Sequence, residues 1–257
     1  MPEEQFLSMR LQLTLRGSER GQVALPTNYN YLIQAAIYSN ISRRLANFLH
    51  NEGFLFGKRR FKMFTFSRLR GHCNLDKKGK RFVYDGDLTL HISSPIEKFI
   101  EDLANVIMKR GFIVLGDQTL KVVELAFPAK PDLKKSWLEI RMLSPLTVYS
   151  TLLTPDGRKK TYYFTPYEME FSELVNSNLK KKHFLLFGKH IKSDIKIKPL
   201  GVKEVITLYK GTVVRGWMGR FLLTGPRSLI TTGYEAGLGA KNSQGFGMFE
   251  VVKCSGL

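Results

Sequence analysis

Ser94-Pro-Ile-Glu-Lys-Phe-Ile-Glu-Asp-Leu-Ala-Asn-Val-Ile-Met-Lys-Arg-Gly111 carries the start, the buried face and the stop of one amphipathic helix. A serine, a first-turn proline and Glu97 stand in register for an N-terminal cap. Ile96, Phe99, Ile100, Leu103 and Ile107 form an apolar stripe at helical spacing, and Gly111 is placed to end it. Arg81 to Ile92 before this helix reads as a strand, and Phe112 to Phe127 after it is an extended segment. Further upstream, Met9-Arg-Leu-Gln-Leu-Thr-Leu15 alternates apolar and polar residues, the mark of a half-buried strand. A loop is expected through Pro26 and Asn28. Helical spacing follows at Ile33, Ile37, Ile41, Leu45 and Phe48, as one helix or as two with Ser42 capping a short second one. Lys62 to Leu69 alternates again. The order is β-α-β-β-α-β, the ferredoxin-like arrangement.

Pro128-Ala-Lys-Pro-Asp-Leu-Lys-Lys135 is rich in proline and charge and reads as a linker. Beyond it come a strand at Trp137 to Leu143, a hairpin around Pro155-Asp-Gly157, and a helix start at Thr165-Pro166-Tyr167-Glu168. That helix runs over Phe171, Leu174, Val175 and Leu179 toward Lys180-Lys-Lys182, charges that suit a helix C-terminus. Strands are expected at Ile195 to Lys198, Lys203 to Tyr209 and Gly211 to Leu223, before a final strand, Met248 to Val252. The second half is a looser copy of the first with its last helix shortened. The fold class is therefore α+β, two tandem ferredoxin-like (RRM-like) domains over residues 1–130 and 131–257.

The bulk numbers narrow the partners. A 43% hydrophobic content supports a packed core in 257 residues. Forty Lys+Arg against twenty-two Asp+Glu leave +18, a field that favours a polyanion. No apolar run approaches the ~18 residues a membrane span needs, and Met1-Pro-Glu-Glu lacks a signal-peptide core, so a cytoplasmic protein is expected. Cys73 and Cys254 give no disulfide framework and are expected as reduced, buried thiols.

Gly233-Tyr-Glu-Ala-Gly-Leu-Gly-Ala-Lys-Asn-Ser-Gln-Gly-Phe-Gly247 places five glycines in fifteen residues. A hairpin turn needs one or two, so the run is expected to offer backbone N–H groups to phosphate through Gly237, Gly239, Lys241, Asn242, Ser243 and Gly245. It is not a Walker motif, and Gly237-x-Gly239 alone is a weak dinucleotide signal with no βα unit after it. The five histidines show no metal-ligand spacing and no carboxylate cluster is visible, so no metal or other cofactor is expected. His50 closes a helical stretch, Tyr38 falls within a helix, and Lys62 ends the basic run Lys58-Arg-Arg-Phe-Lys62. Taken singly, these read as a dipole partner, a core aromatic and a solvated charge.

Together they resemble a known family. Leu25-Pro26, Tyr29-Asn-Tyr-Leu-Ile-Gln34, Ile37-Tyr38, Leu45-Ala-Asn-Phe-Leu-His50 and Lys62-Met-Phe-Thr-Phe-Ser67 recur in that order in the CRISPR repeat-processing endoribonucleases of the RAMP superfamily. The run from Gly233 to Met248 is similar to that family's glycine-rich signature almost throughout. Residues from about 71 to 230 match mainly as a pattern of elements. The resemblance implies a metal-independent ribonuclease that cuts the precursor of a CRISPR array once per repeat, with its tyrosine, histidine and lysine carried onto Tyr38, His50 and Lys62. In that chemistry the ribose 2′-OH attacks phosphorus and leaves a 2′,3′-cyclic phosphate and a 5′-hydroxyl. A histidine suits either proton transfer, a lysine counters the charge gathering on phosphate, and a tyrosine is a poor base unless its pKa is lowered. The direction of transfer stays open.

The partner implied is repeat RNA, with CRISPR effector subunits as further candidates, no membrane, and a monomer or a homodimer as the state. Basic contacts are expected from Lys58, Arg59, Arg60, Arg68, Lys192, Lys196 and Lys241, and base stacking from Phe56, Phe61, Tyr163 or Trp217. Two rival readings share the fold: a repeat-RNA binder that does not cut, and a backbone subunit of an effector complex. If several of these cations meet phosphates, log Kd against log salt will have a slope of roughly 0.7 per phosphate neutralised on a single strand. A flat response in a titration from low to high salt would remove the polyanion from the argument.

Overall fold

The computed structural model describes residues 9–17, 21–133, 135, 137–153 and 155–252. Two antiparallel sheets dominate it, each with its own helices and its own apolar core. In chain order the first half contains β1 (Met9–Gly17), β2 (Gln22–Pro26), α1 (Asn30–Ser39), α2 (Arg43–Asn47), β3 (Phe54–Phe56), β4 (Arg59–Phe61), β5 (Thr65–Phe66), β6 (Arg70–Asp76), β7 (Arg81–Ser94), α3 (Glu97–Arg110), β8 (Phe112–Leu115) and β9 (Gln118–Ala126). β7 is the axis: β1 and β2 pair along one edge, β5 and β6 along the other, and β9 and then β8 extend the sheet beyond β1. Leu11, Leu13 and Leu15 of β1 are buried while Gln12, Thr14 and Arg16 between them are not, so the strand presents one apolar face. Ile33 and Ile37 of α1 and Phe99, Ile100, Leu103 and Ile107 of α3 cover that face. Each such buried side chain contributes roughly 1.5–3 kcal/mol.

The second half runs β10 (Trp137–Met142), β11 (Tyr149–Leu153), β12 (Lys159–Tyr163), α4 (Met169–Phe187), β13 (Lys196–Tyr209), β14 (Thr212–Thr224), α5 (Arg227–Ala236) and β15 (Phe249–Val251). Its sheet has the order β13-β14-β10-β15, with the first strand between the third and the fourth. With β11 and β12 set aside as an inserted hairpin, this is β-α-β-β-α-β in ferredoxin-like order. Phe171, Val175 and Leu179 of α4 and Leu229 and Ile230 of α5 close the core over Leu138, Ile140 and Met142. The fold is thus α+β and tandem ferredoxin-like.

Several local expectations need correction. The expected loop before α1 contains β2, which pairs with the start of β7. The alternation from Lys62 to Leu69 yields only the two-residue β5, because Met63 takes a left-handed φ of 54° and turns the chain. The hairpin β3–β4 and the exposed strand β6 are additions to the elements expected from sequence. Ser94 is not the cap residue of α3: its hydroxyl accepts the Ile96 N–H at 3.1 Å and donates to the Met63 carbonyl at 2.7 Å. Thr165 to Glu168 forms a turn, and α4 begins only at Met169 and runs on to Phe187. Lys180 to Lys182 therefore lie inside this helix and not at its C-terminal dipole. β13 is one strand whose register shifts between Pro199 and Gly201, where two strands are expected from sequence. Cys73 is exposed, not buried, and Cys254 lies outside the described residues. The hairpin around Gly157 and the helix stop at Gly111, with φ of 72°, are as read from sequence.

The halves are tied together by side chains that reach across to main-chain carbonyls. Arg10 of β1, only 5% exposed, donates to Phe249 O at 2.9 Å and Tyr234 O at 3.0 Å, with its guanidinium 3.9 Å above the Tyr234 ring. Thr65 Oγ donates to Phe246 O at 3.0 Å, and the Arg68 N–H to Leu143 O at 2.9 Å. Arg10→Met should lower unfolding free energy by about 3 kcal/mol, since two buried carbonyls lose charged donors. Urea denaturation at constant m would record it, and an unchanged midpoint would show the guanidinium to be dispensable.

Candidate active site

Helix α1 stops at Ser39, where Asn40 turns its side chain back onto Ala36 O at 2.8 Å and Arg110 of α3 donates to Ser39 O at 2.9 Å. The chain re-enters a helix at Arg43, with the Ser42 N–H donating to Asp102 at 2.5 Å. α2 then widens into a π turn, Phe48–Glu52, closed by the Gly53 N–H on Phe48 O at 2.8 Å. This turn carries His50 back toward α1. The His50 ring meets the Tyr38 ring edge to face, centroids 6.2 Å apart, and Tyr38 packs in the same way on Phe64 at 5.9 Å.

The lysine follows directly on β4. Lys62 Nζ donates to Leu49 O and, at 2.9 Å, to His50 O, while Arg60 donates to Asn51 O. The cations next to His50 thus close the end of its own turn. Burial, and then repulsion from Arg60, hold the Lys62 ammonium below the usual lysine range. His50 is exposed, with Nδ1 2.9 Å from Asn51 Oδ1. Because that oxygen can only accept, the contact places the proton on Nδ1 and leaves Nε2 a lone pair in the neutral ring. Burial pushes the Tyr38 phenol up to about 12, further from ionising near pH 7 than an ordinary tyrosine.

A cleft of about 510 Å³ opens beside Lys62. Its N-terminal wall is Arg59 to Phe64, and its opposite wall is Ala240 to Gln244 with Tyr149 and with Asn178 and Lys182 of α4. Among the described residues five cations line it and no carboxylate does. Nor does any group of three or more His, Cys, Asp and Glu side chains converge among them. The far wall is braced from both halves: α1 reaches it through Asn30 on Gln244 O at 2.9 Å and Gln34 on Ser243 O at 2.6 Å.

Comparison with known proteins places this arrangement. The profile of the family "CRISPR associated protein Cas6, C-terminal" matches residues 128–251, and that of "CRISPR-associated protein Cas6, N-terminal" matches residues 24–126. The "CRISPR-associated endoribonuclease Cas6 1" of Methanocaldococcus jannaschii is 31% identical over 94% of this chain and 92% of its own length. The chain belongs to the Cas6 family. The "CRISPR-associated endoribonuclease Cas6" of Pyrococcus furiosus is 27% identical over 88% of this chain and 83% of its own. A solved structure of a CRISPR associated protein Cas6 superposes with a TM-score of 0.79 at 30% identity, covering 96% of this chain and all of that one.

The sequence-derived residues of this Cas6 chain fall into three groups. Tyr38, His50 and Lys62 come together, and Arg59, Arg60, Lys241, Asn242 and Ser243 line the adjoining cleft, with Lys58 in the exposed hairpin turn beside them. Arg68, Lys192 and Lys196 do not line it. Arg68 sits beside Tyr29, and Lys192 and Lys196 flank Asp194 at another face of α4. Gly237, Gly239 and Gly245 are buried, which corrects the phosphate-facing reading of these three. The N–H groups of Gly237 and Gly245 bond Gly233 O and Asn242 O. At Gly245, with φ of 84°, a Cβ would lie 2.5 Å from the Phe66 ring, so glycine there serves close packing. Of the proposed stacking aromatics Phe61 lines the cleft, Phe56 packs on Phe184, and Tyr163 and Trp217 donate to Val213 O and Phe164 O.

Sequence reasoning misses the parts played by Lys182, Asn30 and Gln34. Lys182 is 2% exposed and its ammonium contacts oxygens of the glycine loop and α5; burial pushes it down to about 7. Its spacing from Phe171, Val175 and Leu179 puts it on the buried stripe of α4, a signal present in the sequence. In ¹³C-tyrosine NMR, the resonance absent from Tyr38→Phe should titrate near 12 and not at the ordinary ~10. The phenol's contribution to stability is then intact below pH ~10 and is lost as pH rises toward 12. A midpoint near 10 would place Tyr38 in open solvent.

Proposed function

We propose that this chain cuts CRISPR precursor RNA within its repeats without a metal, through 2′-OH attack that leaves a 2′,3′-cyclic phosphate and a 5′-hydroxyl. The observation that carries this reading is the convergence of Tyr38, His50 and Lys62 at the edge of a carboxylate-free cationic cleft. His50 Nε2, free in the neutral tautomer, takes the 2′ proton as the 2′ oxygen bonds phosphorus, and the P–O5′ bond breaks with the 5′ oxygen taking a proton from water. Tyr38, a neutral phenol near pH 7, donates a hydrogen bond that orients the ribose–phosphate junction. Lys62 keeps its place on the His50 and Leu49 carbonyls and turns its remaining N–H toward the phosphate that gathers charge. In this reading residues 1–130 form the domain that carries the reacting groups. Residues 131–257 form the domain that supplies the opposite RNA wall through Lys241, Asn242 and Ser243.

The test uses a synthetic RNA carrying the repeat encoded beside the gene, incubated with protein in excess EDTA. Cleavage with cyclic-phosphate ends is expected. His50→Ala should slow the single-turnover rate by ~10²–10⁴-fold, the usual share of one acid–base group, and leave RNA affinity unchanged. A 2′-deoxy residue at the cut bond should abolish cleavage and spare binding. Full-speed cutting by His50→Ala in EDTA would defeat the mechanism. A gel shift with intact RNA would identify a binder or an effector subunit instead.

A further inference from the structure

Lys182 is an ionisable amine closed off from water, with no ion-pair partner among the described residues. Its ammonium lies 2.7 Å from Gly237 O, 3.3 Å from Gly239 O, 3.5 Å from Ala236 O and 2.6 Å from Asn242 Oδ1. All four are uncharged oxygens. Ala236 ends α5, so the amine also stands at the negative end of that helix dipole. The peptides whose carbonyls it holds are pinned at their other ends as well. The Leu238 N–H bonds Gly247 O and the Ala240 N–H bonds Thr147 O, both at 2.8 Å. Asn242, gripped by Lys182 through Oδ1, donates in turn to Leu238 O at 2.8 Å and Phe246 O at 3.0 Å. The lysine and the asparagine together form the internal scaffold of the loop whose outer segment, Ala240 to Gln244, walls the cleft.

We propose that Lys182 is a positioning residue of the RNA site: it acts through the glycine loop, holding the Lys241–Ser243 segment in the shape that receives phosphate. The proposal rests on the RNA-binding reading of that loop. Its physical basis is that a loop with inward-facing carbonyls collapses or opens when their donor is removed, because buried carbonyls do not stay unpaired. The reacting groups Tyr38, His50 and Lys62 stand on the other half, and the hydrogen bonds of Lys62 run to its own half and not to Lys182. Loss of the amine should therefore weaken binding and leave the chemical step alone.

The experiment compares the wild-type chain, Lys182→Met, Lys182→Gln and Lys241→Ala on the repeat RNA with a 2′-deoxy residue at the cut bond. Affinity is measured over a salt series, and single-turnover cleavage is measured on the all-ribose RNA at saturating protein. Lys182→Met should raise Kd at least tenfold and flatten the log–log salt slope by about 0.7 for each phosphate that is no longer neutralised, with the saturated rate within threefold of wild type. Lys182→Gln, which keeps a donor, should recover part of the affinity. A purely structural lysine would lower Tm and the fraction of active protein but leave Kd and slope as they were, and that result overturns the proposal. If Lys182→Met does not fold, an unchanged Kd in Lys182→Gln overturns it equally. If Lys241→Ala leaves both Kd and slope untouched, the loop is not the RNA surface, and the underlying reading falls first.

Discussion

Main-chain carbonyls buried at the ends of helices and loops need donors, and this molecule meets that need with cationic side chains. The last turn of α5 is held from two directions, by Arg10 from the first sheet on Tyr234 O and by Lys182 from α4 on Ala236 O. The π turn is held by Lys62 and Arg60, and the end of α1 by Arg110. An ammonium or guanidinium is a strong donor to an uncharged carbonyl, so it satisfies such groups without a matching acid. Part of the net charge of +18 is therefore architecture. Only the remainder is free to meet a polyanion.

The same constraint explains why the site straddles both halves. The glycine loop is gripped from below by Lys182 and from the side by Asn30 and Gln34 of α1. One turn beyond Gln34 on that helix stands Tyr38, and Tyr38 touches His50. The loop wall of the cleft and the aromatic pair at its edge thus share a rigid element. Neither half alone contains the cleft.

How far the sequence is legible depends on whether one cause dominates each segment. The helix at Ser94 to Gly111 and the strand at Met9 to Leu15 are plain because periodicity and burial agree there. The segment from Lys62 to Leu69 alternates like a strand, yet tertiary packing at Met63 overrides the pattern. The charges of Lys58 to Lys62 hide the β3–β4 hairpin. Lys180 to Lys182 look like a helix end when charge is weighed above spacing, although the spacing places Lys182 inside. The glycine run shows a deeper ambiguity. Close approach to a phosphate and close approach to one's own backbone both forbid a Cβ, so composition alone does not separate them. Tyr38, His50 and Lys62 are legible only as a set.

The widened turn at Phe48–Glu52 has a consequence for how this region tolerates change in length. Its closing bond spans one residue more than an α turn does. Deleting a single amino acid there would let the segment rewind as ordinary helix and swing the imidazole about 100° around the axis, away from its aromatic neighbour. Gly53, which closes the turn at φ of 63°, leaves no room for a side chain, since a Cβ there would lie 2.8 Å from Phe61 O. The length of this stretch is therefore constrained along with the identity of His50 and Gly53.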